Sequence, residues 1–461
     1  MDHGRRNVLG LALLGTTYPL MAAPFAPTGH AHAGAGGLPA KVKSQLEHEL
    51  AAIAADPSCE LASLAVLAIR DGKISYEGQF GRRFIGTDGL PDKPVERDTK
   101  FRIASISKMM TTLGLMRLVE AGKVDLDADV SAYLGFTLRN PHFPDAPITL
   151  RHLLSHRSSL RDAAGYSWGT DTAMKDVLVP GARLYGDGTM WASNAGPGAY
   201  FTYCNLGFGL VGTIMEGVSG ERFDRLMARL LIAPLGLHAS YHPADLSPAD
   251  LGQLATLYRK RTVDTEVWDP SGPWIAQADD YSKAPPTLPA GSEHYVIGAN
   301  ATPFSPTGGL RISARDMGVV MKMLMDGGAH AGRRFLNKAT LDHMFSRQWT
   351  YDGANGDTAD GLLNAWGLGN EQFPDQPDQP DQHTRLVEGG GFKAVGHLGD
   401  AYGLMSIFVA DLERRNGMVV LVGGSSTDPF SAANHGQYSS LARFQERILT
   451  ALYRRAILVQ T

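Results

Sequence analysis

Residues Phe101–Val124 read FRIASISKMMTTLGLMRLVEAGKV. The pattern predicts a buried helix starting at or near Ser105, because Met109, Leu113, Met116 and Val119 form one apolar stripe at helical spacing. One cation, Lys108, interrupts it. Residues three apart on a helix share a face, with Cβ atoms about 5–6 Å apart, so the Lys108 ammonium can reach the Ser105 hydroxyl. A desolvated Lys gives up its proton readily and can serve as a base, whereas an unassisted Ser hydroxyl is a poor nucleophile. The helix N-terminus would add N–H groups able to stabilise an oxyanion. The competing interpretation is a Ser cap followed by a Lys that snorkels to solvent. Ser-x-x-Lys is expected about once or twice by chance in a chain of this length, and it occurs once here.

Two further elements add weight. Phe201-Thr-Tyr-Cys-Asn205 holds the one Tyr-x-Asn of the chain, after Gly196-Pro-Gly198 and before a helical pattern. A Tyr hydroxyl near a Lys can lose its proton and relay protons to a leaving group, and an Asn amide can grip a substrate carbonyl. Alone, these would be a loop Tyr and a capping Asn. His397-Leu-Gly399 lies just ahead of a hairpin; His-x-Gly also occurs at 32–34 and 330–332. Position selects His397, since a Gly beside a strand edge lets a substrate backbone approach closely.

Working outward, Val42, Leu46, Leu50 and Ile53 predict a helix stopped by Asp56-Pro57. Leu61 to Ile69 and Ile74 to Phe80 predict two strands around Asp71-Gly72, and Gly403 to Ala410 and Met418 to Val422 a second hairpin turning at Asn416-Gly417. Helical patterns recur at 108–121, 148–156, 206–216 and 222–233, separated by Gly- and Pro-containing loops. Ser313 and Asp316 predict a capping box for a helix through Met325, and Leu441, Phe444, Ile448 and Leu452 a C-terminal amphipathic helix. The expected class is α+β: both hairpins in one antiparallel sheet, covered by terminal helices. The expected organisation is an export signal over 1–33, a sheet domain from 34–104 and 301–461, and a mostly helical domain, 105–300, between them. The threefold Pro-Asp-Gln repeat over 374–382 predicts an extended surface loop.

The chain has 461 residues, 20% charged, with a formal net charge of -4. No basic field exists to gather nucleic acid or anionic lipid, so small-molecule chemistry is the default. Arg5-Arg6, an apolar run from Val8 and Ala31-His32-Ala33 occur in the order of a twin-arginine export signal, which predicts a periplasmic or secreted protein. No later segment approaches the roughly 18 uncharged apolar residues of a membrane span. Cys59 and Cys204 read as two buried thiols, with a single bridge as the alternative. Gly165-Tyr-Ser167-Trp-Gly169 matches the nucleophile elbow of α/β-hydrolases, but polar residues stand where that motif needs a buried strand.

Taken together, Ser-x-x-Lys, then Tyr-x-Asn, then His-x-Gly on a C-terminal strand resembles the serine β-lactamase and penicillin-binding protein superfamily, in particular its class C-like branch of esterases, D-peptidases and lactamases. Ile148–His156, Pro197–Gly212, Ala233–Leu237 and Gly308–Asp316 look like family segments as well. His152 and His156 fall in one of these, which marks them as structural and not a metal pair. The resemblance implies that Ser105 forms an acyl-enzyme, that Lys108 and Tyr203 share the proton transfers, and that Asn205 holds an acyl carbonyl. It also implies an oxyanion hole from the N–H groups of Ser105 and Asp400, a substrate-binding edge at His397 and Gly399, and no metal or organic cofactor. Ser159 stands where many relatives have Gly. His397 replaces the usual Lys, Leu398 replaces a hydroxyl that helps hold a carboxylate, and Asp400 adds a negative charge. The expected activity is therefore hydrolysis of an ester, amide or peptide lacking a critical carboxylate at that position. A D-amino-acid peptidase or weak β-lactamase is the alternative within the fold, and a non-catalytic binding or sensor domain the alternative outside enzymes.

Overall fold

The strand that organises the molecule is apolar on both sides, which is the signature of a strand buried between two layers. In the computed structural model, which describes residues 37–87, 89–376 and 384–458, this is β1 (Ser63–Arg70). Ala65, Leu67 and Ile69 point into one core; Leu64, Val66 and Ala68 point into another. Each of the Leu, Val and Ile side chains among them contributes about 1.5–3 kcal/mol by leaving water. The export-signal residues and the second and third Pro-Asp-Gln units lie outside the described residues.

β1 turns through Asp71 (φ 50°) and Gly72 (φ 75°) into β2 (Lys73–Phe84). Positive φ at both positions is what a two-residue hairpin turn with the twist of its strands requires. With β3 (Lys93–Pro94), β4 (Trp349–Thr350), β5 (Ala365–Trp366), β6 (Glu371–Phe373), β7 (Ala394–Ala401), β8 (Leu404–Asp411) and β9 (Asn416–Val422), the nine-stranded order is β4-β5-β6-β7-β8-β9-β1-β2-β3. The two hairpins join as expected: Val66 faces Val420 and Ile69 faces Gly417, antiparallel.

Helices α1 (Ala40–Ala54) and α5 (Arg443–Leu452) cover one face through Leu46, Leu50, Ile53, Phe444, Ile448 and Leu452. The other face packs α2 (Ile106–Glu120) and α4 (Ala314–Met325), and α3 (Asn205–Ser219) packs against α2 in the same core. This is an α+β fold. Cys59 and Cys204 are free and buried. Among the described residues no helix is long and apolar enough to cross a membrane.

Three local expectations change. The second hairpin turns at 412–415, with Arg415 in the left-handed region (φ 57°), and Asn416-Gly417 already belongs to β9. A Cβ at Gly417 would collide with the Met321 sulfur, so this Gly makes room for α4. The capping box is half formed: Asp316 N–H donates to Ser313 Oγ at 3.1 Å, but the Asp316 carboxylate instead accepts from His238 N–H at 2.9 Å. Finally, the segment 105–300, expected to be mostly helical, contains a β-hairpin, Leu257–Lys260 with Trp274–Ala278. Gly424–Ser425 adds to it as a parallel third strand, and buried Arg311 clamps its far end with two bonds to Asp279, at 2.8 and 3.0 Å.

Candidate active site

The strand Lys100–Arg102 pairs with Arg311–Ser313 and delivers the chain to the start of α2. Ala104 lies in the left-handed region (φ 45°), a conformation that costs a residue with a Cβ about 1–2 kcal/mol. It turns Ser105, the first residue before the helix, toward a cleft of about 1140 Å³. Lys108 Nζ sits one turn further, 2.9 Å from Ser105 Oγ and 3.1 Å from the Thr307 carbonyl oxygen. No carboxylate comes within 4.0 Å of it among the described residues. Lys108 is fully buried, and loss of solvation holds its pKa down to about 7, with Asp162 pulling weakly the other way. Near neutral pH a large fraction is the free amine, which can accept the Ser105 proton.

The second wall is the turn into α3. Tyr203 lines the cleft beside Ser105, and the Lys108 Nζ lies 4.9 Å from the Tyr203 ring centre. Burial pushes the Tyr203 pKa far up while it draws that of Lys108 down, so of the two side chains Lys108 gives up its proton more readily. Asp162 was not legible in the sequence. It accepts from the N–H groups of Asn205 and Leu206, both at 2.9 Å, and from the Asn205 side-chain amide at 2.8 Å. Its carboxylate thus caps α3 at the favourable end of the helix dipole and fixes the Asn205 side chain at the cleft. His156 packs against Tyr203 with ring centres 4.4 Å apart and accepts from Cys204 N–H at 3.1 Å. His152 closes a helix cap with Thr149. Ser159 takes φ 64°, the conformation a Gly would adopt without strain, and accepts from Asn140 Nδ2 at 3.1 Å.

β7 forms the third wall. His397 is buried, with Nδ1 2.6 Å from Leu398 O, and burial together with Lys108 lowers its pKa to about 3. It is a neutral side chain at physiological pH. A Cβ at Gly399 would collide with Ile103 O and Ser406 Oγ and stand 3.3 Å from Ser105 N. Gly399 is therefore needed so that β7 can lie against the protein's own nucleophile segment, where the sequence suggested room for substrate. This contact also makes the Ser105 N–H a neighbour of the Gly399-Asp400 peptide. Asp400 is open to the cleft yet ringed by protein; desolvation lifts its pKa to about 6, against the pull of Arg259. Glu371, also missed in the sequence, is a fully buried carboxyl whose pKa burial raises well above the ordinary range.

Ser105, Tyr203, Asn205, His397, Gly399 and Asp400 all line this one cleft, with Lys108 directly behind Ser105. They come from segments up to about three hundred residues apart. Ser167 reaches the rim of the same cleft, but its Gly-x-Ser-x-Gly segment is loop on both sides. The cleft brings together a hydroxyl beside an amine whose pKa lies near neutrality and a second hydroxyl on Tyr203, groups that acyl transfer can use.

Comparison with known proteins agrees. The family described as Beta-lactamase matches residues 44–442. Penicillin-binding protein 4* of Bacillus subtilis (strain 168) is 28% identical over 198 residues, 42% of this chain and 41% of that protein. Esterase EstB of Burkholderia gladioli is 29% identical over 189 residues, 38% of this chain and 46% of that protein. The chain thus spans less than half the length of these curated relatives. The structure of D-amino acid amidase from Ochrobactrum anthropi SV3 with D-phenylalanine superposes with a TM-score of 0.60, at 19% identity, covering 90% of this chain and 99% of that one.

Proposed function

The chain belongs to the Beta-lactamase family, and on that premise we propose that it is a serine hydrolase acting on esters or amides, most of all as a carboxylesterase. Ser105 Oγ attacks the substrate carbonyl while Lys108 takes its proton. The oxyanion is held by the N–H groups of Ser105 and Asp400. Tyr203 gives its proton to the leaving oxygen or nitrogen and regains one through Lys108 as the acyl-enzyme forms; Asn205 steadies the acyl part. Water, deprotonated by the same Lys108–Tyr203 pair, then releases the acid and restores Ser105. The observation that carries this is the 2.9 Å contact from a buried, counter-ion-free Lys108 to Ser105.

The ester preference over a D-peptide or a lactam is supported by the third wall: Leu398 has no hydroxyl, His397 is neutral and Asp400 repels a carboxylate placed beside it. A fluorophosphonate should label Ser105, and Ser105→Ala should abolish labelling and ester turnover. Adduct mapped by mass spectrometry to Ser107 or Ser167 would sink the assignment.

A further inference from the structure

The cleft has a fourth wall that the acyl-transfer chemistry does not use, and two of its cations have no carboxylate in contact among the described residues. Arg259 and Arg261 line it from the hairpin 257–278, and Arg102 lines it from the strand just ahead of Ser105. Arg261 is matched by Glu266 at 3.8 Å, but neither Arg102 nor Arg259 has a carboxylate within 4.0 Å among the described residues. Arg102 donates Nε to Gly308 O at 2.9 Å and lies 4.9 Å from the centre of the Tyr402 ring. Arg259 lies 5.2 Å from the Trp268 ring centre, and its Nε is buried without an acceptor.

Both guanidinium groups are therefore stacked, hence fixed in direction, and both flank the turn Tyr402-Gly403: the Arg259 stem is 3.1 Å from where a Gly403 Cβ would stand. The wall itself is rigid, since Arg311 and Asp279 clamp one end of the hairpin and Tyr258 N–H donates to Gly423 O at 2.9 Å beside Arg259. The acids that act on the pair are Asp400, on Arg259, and Asp279, on Arg102 but already bonded to Arg311; the exposed Glu266 is engaged with Arg261. Fixed cations without partners at the edge of a catalytic cleft are costly unless a ligand completes them.

We propose that Arg102 and Arg259 form a subsite for a single carboxylate of the substrate, so that the cleft takes esters or amides bearing one carboxylate remote from the scissile bond. A planar monoanion suits two guanidinium forks, and Asp400 opposes a dianion more strongly than a monoanion. The anion is thus read by the hairpin wall, and not at position 398, where the family resemblance would have put it. This rests on the hydrolase reading and refines its substrate class.

The test uses matched pairs: mono-p-nitrophenyl glutarate against p-nitrophenyl pentanoate places the charge on the acyl side, and 4-butyryloxybenzoate against its methyl ester places it on the leaving side. For at least one pair kcat/KM should favour the anion by about tenfold or more, as expected for a charge-assisted bidentate contact. That ratio should collapse in Arg259→Gln or Arg102→Gln, survive in part in Arg259→Lys, and fall as ionic strength rises. Preference for the neutral partner in both pairs, or an anion preference that both Gln variants retain, would overturn the subsite. Neutral-ester turnover without any anion preference leaves the hydrolase reading standing. Loss of all ester turnover together with fluorophosphonate labelling brings down both.

Discussion

Lys100 and Lys108 are eight residues apart and equally shut away from solvent, at 1% and 0% exposure, yet they do opposite things. Lys100, at the end of its strand, meets Asp250 at 2.8 Å and the Asp98 carbonyl oxygen at 3.3 Å. Lys108, at the start of α2, meets a hydroxyl, a carbonyl oxygen and the faces of Tyr203 and Phe208. The first is a cation with its counter-charge, which holds the strand to the loop that carries Asp250. The second has no carboxylate in contact, so burial outweighs the pull of Asp162 and leaves an amine with a pKa of about 7. Burial alone does not make a lysine reactive; burial without a carboxylate does.

The contrast breaks most sharply at Lys108. Replacing it, as in Lys108→Met, should cut ester kcat/KM by about two to four orders of magnitude, the usual loss for a general base. The same variant should melt several degrees higher at pH 7, because it removes a desolvated ammonium. The sign follows from linkage: the folded pKa lies below the ordinary lysine value, so the wild type bears the full cost below about pH 7 and progressively less toward pH 10.5. The stability gain of Lys108→Met should therefore shrink as pH rises over that window; calorimetry at pH 6, 8 and 10 checks it.

Asp250→Ala puts Lys100 in the position of Lys108, a buried cation with no counter-ion. It should cost about 3 kcal/mol in urea unfolding while the folded fraction keeps its ester turnover. A catalytic loss as large as that of Lys108→Met would erase the distinction. The smallest effect is the pH profile: kcat/KM should rise about tenfold per unit on the acid side and level near pH 7, as Lys108 deprotonates. A profile still rising past pH 9 would mean that Lys108 retains the pKa of an ordinary lysine.

Local spacing carried much of this into the sequence. Helix pitch alone puts Ser105 and Lys108 on one face, the continuous apolar runs at 63–70 and 416–422 mark the buried strands of the two hairpins, and the 443–452 stripe finds its sheet. The turn at 412–415 was misplaced because Asn-Gly is a turn signal in isolation, while here Gly417 serves the packing of Met321. Asp162 gave no signal, standing forty-three residues before the Asn205 it holds, and nothing in the sequence singled out Arg102 or Arg259.

What the sequence determined by itself is connectivity and local geometry: the α+β class, the sheet that closes from both chain ends, and a hydroxyl one helical turn from an amine. What the tertiary structure decided is every protonation bias in the cleft, from the low pKa of Lys108 and the neutral His397 to the proton held by Tyr203, and the pairing or solitude of each arginine. The reason is range. Backbone geometry is set by neighbours a few residues away, whereas the energy of a charge depends on how much water is excluded and which opposite charge is left nearby, and both are supplied by segments hundreds of residues distant.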